Sequence, residues 1–389
     1  MKYMTEFRDA ELAQQLAQRI AAEADPAREY HFMEFCGGHT HAISRYGVAD
    51  LLPPNVQMVH GPGCPVCVLP IGRIDQAIRL ALDHGVILCA YGDTLRVPAS
   101  DGLSLLKAKA QGADVRMVYS PADALALAQR HPDRQVVFFA IGFETTTPPT
   151  ALVLKSAKAA QVDNFSVLCC HVLTPPAIVH VLSSEQHRQI EREAGGVRLD
   201  GFVGPAHVSI IIGTEPYDGF ARDHAKPVVV AGFEPLDVMQ AIAMLVRQVN
   251  EGRHEVENEF TRAVVPGGNK AAQAVVDEVF TLRDSFEWRG LGEVPSSALR
   301  LRPEYAAWDA EVKFPSEYRS VPDHKQCDCG AILRGVKKPQ DCKLFGTVCT
   351  PETPMGSCMV SSEGACAAHY SFGRWRDIPI VSAPVSAPA

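Results

Sequence analysis

Short apolar runs alternate with amphipathic stretches through the first two-thirds of the chain, and this alternation constrains the fold more than any other feature. The clearest run is 136–141, six consecutive apolar residues. A strand without polar alternation is buried on both faces, the pattern of a parallel sheet between helical layers. Similar short strands are predicted at 29–35, Val56–His60, 86–90, 115–119, 165–170, 201–203 and Val228–Ala231. Helices are predicted between them, over 6–23, 71–84, 103–110, Pro121–Arg130, from Pro175 onward, and over 235–249. In one of these, Ile71, Ile74, Ile78 and Leu82 share a face, and Gly85 follows as a stop. Pro121 suits a first helical turn. The alternation argues for an α/β fold of βαβ units with parallel sheets.

A chain of 389 residues is too long for one ordinary core. We expect two parallel-sheet α/β domains of similar design, 1–120 and 121–233, although chains of this kind can cross between sheets. The remainder, 234–389, is expected to form a smaller, loop-rich C-terminal domain containing a helix at Lys270–Val279. Residues 320–370 hold few apolar runs and many Cys, Gly and Pro, too little to fold alone, so a bound metal would supply the missing stabilisation. The tail 380–389 is expected to be disordered.

With a formal charge of -8 and no Lys/Arg run, nothing points to nucleic-acid binding. No apolar run reaches the roughly 18 residues of a spanning helix. The N-terminus alternates charged and apolar residues, unlike a signal peptide, so a cytoplasmic protein is expected. The absence of a G-x-x-x-x-G-K-[S/T] loop and of a G-x-G-x-x-G turn argues against P-loop and dinucleotide sites. No G-x-S-x-G elbow marks a hydrolase.

Polar and sulfur chemistry gathers where strands end. The first strand runs into Cys36-Gly37-Gly38-His39-Thr40-His41, read as a tight loop able to offer soft ligands or a nucleophile with a base. The second delivers Gly61-Pro62-Gly63-Cys64-Pro65-Val66-Cys67, whose cysteine pair fits either a redox disulfide or half a zinc site. Gly142-Phe143-Glu144-Thr145-Thr146 and Pro205-Ala206-His207 follow later strands, and both also read as helix-capping or loop-stabilising groups. Cys89, Cys169 and Cys170 sit in apolar strands and read as core. Near the C-terminus, Cys327, Cys342, Cys349 and Cys366 are separated by 14, 6 and 16 residues, with Cys329 and Cys358 interleaved. Four thiolates suit tetrahedral zinc or an iron–sulfur cluster; wide, irregular spacing favours the cubane, whose ligands approach from four corners.

Together these motifs, with Cys358-Met359-Val360-Ser361-Ser362-Glu363-Gly364, resemble the HypD family of hydrogenase maturation factors over most of the chain. The resemblance implies a fold of two Rossmann-like α/β domains plus a cluster-bearing domain, and a scaffold on which the Fe(CN)2CO group of nickel–iron hydrogenases is assembled. It implies a HypC-type small chaperone as partner and a HypE-type cyanide donor, with no nucleic acid and no membrane. It maps a 4Fe-4S cluster onto Cys327, Cys342, Cys349 and Cys366, and a transient iron carrying CN and CO onto Cys36, with His39 as ligand or proton donor. Cys64 and Cys67 would cycle between dithiol and disulfide, while Glu144, Thr145 and His207 would line the cleft. The alternatives are a thiol–disulfide oxidoreductase similar to ferredoxin-thioredoxin reductase, and a zinc-stabilised binding module.

Overall fold

The protein is described from a computed structural model covering residues 6–183 and 198–373. The predicted tail at 380–389 lies outside the described residues. Two parallel sheets dominate, confirming the α/β class. The first sheet contains β1 (Tyr30–Glu34), β2 (Val56–His60), β7 (Gly201–Pro205), β8 (Val228–Ala231) and β9 (Val256–Asn258), in the order β2-β1-β7-β8-β9. The second contains β3 (Ile87–Ala90), β4 (Val115–Met117), β5 (Val136–Gly142) and β6 (Phe165–His171), in the order β4-β3-β5-β6.

Neither expected domain boundary coincides with a boundary between sheets. Strands on either side of residue 120 share the second sheet, while β1 and β2 leave their sequence neighbours to pair with β7. The helix Pro235–Glu251 and β9 belong with the first sheet, although both lie beyond residue 233. Parallel strands are joined by crossovers, so sequence proximity does not dictate which strands pair.

Local chemistry explains the elements themselves. β5 and β6 are buried along their whole lengths, as continuous apolar runs require. Each fully buried Val, Ile or Phe contributes roughly 1.5–3 kcal/mol of transfer free energy. The helix Pro121–Arg130 opens on a Ser120–Asp123 capping box with proline in its first turn. Gly85 has φ +62°, the left-handed conformation expected where a helix stops.

One expectation fails in an informative way. Cys36 to His41 is not a tight loop: after helix α1 (Ala10–Glu23) and strand β1, helix α2 (Gly37–Tyr46) starts at Gly37 with Cys36 as its N-cap. The two glycines serve close packing instead. A methyl on Gly38 would lie 2.6 Å from the Phe233 ring, and one on Gly37 would meet Glu363.

The C-terminal segment is loop-rich, as expected, with short helices at Cys329–Leu333 and Ala365–Ala368. It folds back on the first sheet and shares a continuous core with the loop after β2.

Candidate functional site

Strand order in the first sheet reverses between the parallel neighbours β1 and β7: β1 leads outward to β2, and β7 leads the opposite way to β8. The crevice outside the carboxyl ends at such a point is where open α/β sheets bind ligands. Here the segments after β1, β2, β7 and β8 bring Cys36, Cys64–Cys67, His207 (in the helix Ala206–Ile212 that follows β7 directly) and Phe233 to that end of the sheet.

Cys36 is 8% exposed. Its N–H donates to Glu34 Oε2 at 3.0 Å, and the N–H of Gly37 donates to Gly63 O at 3.1 Å. Burial pushes the Cys36 thiol up to about 12, against N–H donation from Gly38 and His39. Gly63 is indispensable to the contact between the two loops, because a methyl there would occupy the backbone of Phe35 and Cys36.

Cys64 and Cys67 form a disulfide with Cα atoms 5.2 Å apart. The cysteine-rich segment closes directly over it. Ser357 Oγ donates to Cys67 O at 2.6 Å, and a methyl on Gly364 would lie 3.0 Å from Cys67 Sγ. Beyond them, Cys329 is within hydrogen-bonding reach of Cys327, Cys358 and Cys366. Cys349 lies near Cys327 and Cys342, and its Sγ accepts from Met355 N at 3.3 Å. Cys327 is half-buried, and the other five cysteines of this segment are buried. A hydrogen bond with Cys329 draws the Cys327 thiol down to about 7. A methyl on Gly356 would lie 2.5 Å from both Cys327 and Cys329 sulfurs, so this glycine lets the loop wrap the thiols. Among the described residues, no group of three or more His, Cys, Asp or Glu is preformed around a single metal ion.

His39 is completely buried, and burial lowers its pKa to about 4. Its ring lies 4.9 Å from the Phe233 ring, which lies 4.2 Å from the ring of His207. His39 and His207 thus share one aromatic stack beside Cys36. His41 lies on the outer side of α2, where its ring meets Phe372 edge-on.

Glu144 and Thr145 stand elsewhere. Glu144 accepts from Thr174 N at 2.8 Å and Thr174 Oγ1 at 3.0 Å, and burial raises its carboxyl to about 7. It lines a cleft of about 590 Å³ with Lys270, Gln273 and Arg302, and no residue of the Cys36 or Cys64 loops enters that cleft. Thr145 is half-buried in the same strand-end turn. The buried Tyr217 hydroxyl lies between the two regions, within electrostatic reach of both Glu144 and Cys36.

Sequence reasoning missed the residues that tie the site together. Glu34 is fully buried and its carboxylate accepts from Cys36 N, Thr40 Oγ1 and His60 Nδ1, joining the ends of β1 and β2. Burial raises its pKa, and the His60 and Thr40 contacts oppose that rise. A carboxylate inside an apolar strand was the available signal, since such residues are almost never buried unless paired. Phe233 and Ser357 carried no comparable signal.

Fold and site together define a two-sheet parallel α/β protein with a sulfur-rich centre assembled from distant loops at one switch point. The HypD family profile, described as "Hydrogenase formation hypA family", matches residues 11–373. The chain is 72% identical over 383 residues to the hydrogenase maturation factor HypD of Cupriavidus necator, covering 98% of this chain and 100% of that one. It is 63% identical over 383 residues to HypD of Azotobacter vinelandii (98% and 100% covered) and 47% identical over 377 residues to HypD of Escherichia coli K12 (96% and 98% covered). The chain belongs to the HypD family of hydrogenase maturation factors. No helix among the described residues is long and apolar enough to cross a membrane.

Proposed function

We propose that this protein is a redox-active scaffold for assembling the Fe(CN)2CO group of nickel–iron hydrogenases. The observation that carries the proposal is the sulfur path just described: Cys36, the Cys64–Cys67 pair and the C-terminal cysteines are packed in sequence around Gly63 and Gly364. Iron, as cargo, is held at Cys36 with His39 beside it. A HypC-type chaperone completes the site and a HypE-type partner delivers cyanide.

Each part of the site has a chemical task. Cleaving a thiocyanate donor consumes two electrons: a Cys64/Cys67 dithiol reduces R–S–CN to R–SH and HCN and becomes the disulfide. The donor set of the C-terminal segment fits a 4Fe-4S cluster in chemistry, since it offers only thiols and encloses them in wrapping loops. Cys327, Cys342, Cys349 and Cys366 would hold it, with Cys329 packed against Cys327, Cys358 and Cys366. When bound, the cluster supplies one-electron transfer. Ser357 and Gly364 hold Cys67 against this segment, and Glu34 holds Cys36 against the Cys64 loop.

Infrared spectroscopy of the anaerobically purified complex tests the reading. CN and CO stretches are expected with the native chain and should vanish with Cys36→Ala, while visible cluster absorption persists. Normal hydrogenase maturation by Cys36→Ala would sink the iron-site assignment. A thiol–disulfide oxidoreductase of the ferredoxin-thioredoxin reductase type is favoured by the same disulfide, but it predicts no such stretches. Elemental analysis for iron against zinc tests the zinc-stabilised module.

A further inference from the structure

The two ring nitrogens of His39 have opposite surroundings. Nε2 lies 3.0 Å from Ala231 O and 2.9 Å from Gly232 O. Carbonyl oxygens only accept, so Nε2 carries the proton. Nδ1 is buried and has no hydrogen-bond partner among the described residues. A buried polar atom left unpaired costs about 1–3 kcal/mol, and the fold retains this one. A neutral imidazole whose second nitrogen donates to a carbonyl is the arrangement that orients histidines for metals.

The same tripeptide that fixes the edge of the ring also covers it. Ala231 and Gly232 supply the carbonyls, and the next residue, Phe233, lies 4.9 Å away with its ring tilted by 50°. Phe233 is itself braced by His207, 4.2 Å away, and it fills the space that a side chain on Gly38 would need. His39 is the third residue of α2, and a side chain there leans back over the first turn. Cys36 is the N-cap of that turn.

We propose that Phe233 is a positioning residue: with the Ala231 and Gly232 carbonyls it locks His39 as the Nε2–H tautomer, so that Nδ1 is the atom presented to the iron cargo at Cys36. His207 then serves by buttressing Phe233 rather than by touching iron. The inference rests on the scaffold reading given above and specifies the ligand atom within it.

The test is nitrogen-15 NMR of the full chain labelled at histidine, with the His39 signals identified by their loss in His39→Gln. The native chain should show a single Nε2–H tautomer for His39. Phe233→Leu should show a mixture of tautomers, and Phe233→Tyr should restore the native pattern. In cells, Phe233→Leu should lower hydrogenase maturation by about 10- to 100-fold, as loss of a group orienting a metal ligand does. Its disulfide content and circular dichroism should remain native. A native Nδ1–H tautomer overturns the inference, and so does normal maturation by Phe233→Leu. Failure of the scaffold reading would show differently, as missing CN and CO bands in the native complex with the tautomer pattern intact.

Discussion

Replacing Glu144 with glutamine tests how burial governs stability at the end of β5. The carboxyl is 5% exposed, and burial lifts its pKa from 4.5 to about 7. An acid whose folded pKa exceeds its unfolded value binds its proton more tightly in the native state. Stability is therefore greatest below the unfolded pKa and declines as pH rises, levelling off above the folded pKa. At 1.36 kcal/mol per unit, the loss between pH 4.5 and pH 8 is about 3 kcal/mol. Glutamine keeps the shape, cannot ionise, and still accepts from Thr174 N. It gives up the acceptor for the Thr174 hydroxyl, worth about 1 kcal/mol. The two effects nearly cancel at pH 5, where Glu144→Gln should match the native protein. At pH 8 it should be about 2 kcal/mol more stable. Urea unfolding midpoints measured at half-unit intervals from pH 5 to 8 would reveal the divergence. If the two proteins stay a constant distance apart across that range, Glu144 does not carry the buried charge that the geometry assigns to it.

Two further outcomes follow, one from a buried histidine at the end of β6 and one from the contact at Gly63 described above. His171 is fully buried and its pKa falls to about 4 through loss of solvation, while its ring bonds the hydroxyls of Thr146 and Thr150. A base with a depressed folded pKa loses stability as pH falls from about 6.5 towards 4, here by about 3 kcal/mol. His171→Gln should flatten that acid limb in the same urea experiment; an unchanged limb would contradict the assignment. Gly63→Ala forces a methyl into the backbone at Cys36 and should cost about 1–3 kcal/mol, as overpacking does. It should also open Cys36 to faster alkylation, read by mass spectrometry. Native stability together with native labelling would mean the two loops are not held at that distance.

Local signals in the sequence were legible wherever they were strong. Val56–His60, Pro121–Arg130, Val228–Ala231 and Lys270–Val279 form where the periodicity and the punctuating prolines and glycines place them. That Cys36 and the Cys64–Cys67 pair each follow a strand end was legible too; that β1 and β2 pair side by side, which brings the two segments together, is a finding of the structure. Sheet membership was not, since the partner of a parallel strand is chosen by a crossover and leaves no mark on either strand. Paired glycines hid the start of α2 because their usual meaning, a turn, differs from their use here, room for Phe233 and Glu363. The family resemblance set Glu144 in one cleft with the thiol centre, yet its partner Thr174 and its own cleft set it apart. Phe233 could not be singled out because its value lies in two rings, His39 and His207, that meet it only in space.

The crossing of the chain between sheets bears on how the molecule is born. β1 and β2 emerge from the ribosome early, but their neighbours β7 and β8 follow only after the whole second sheet, and Ser357 and Gly364 come later still. At roughly 5–20 residues per second, Cys36 waits tens of seconds for the last walls of its site. Over that interval Cys36, Cys64 and Cys67 are exposed thiols on a nascent chain. Completion of the proposed iron site is thus a post-translational event, and the early cysteines reach it unmodified only where their surroundings are reducing.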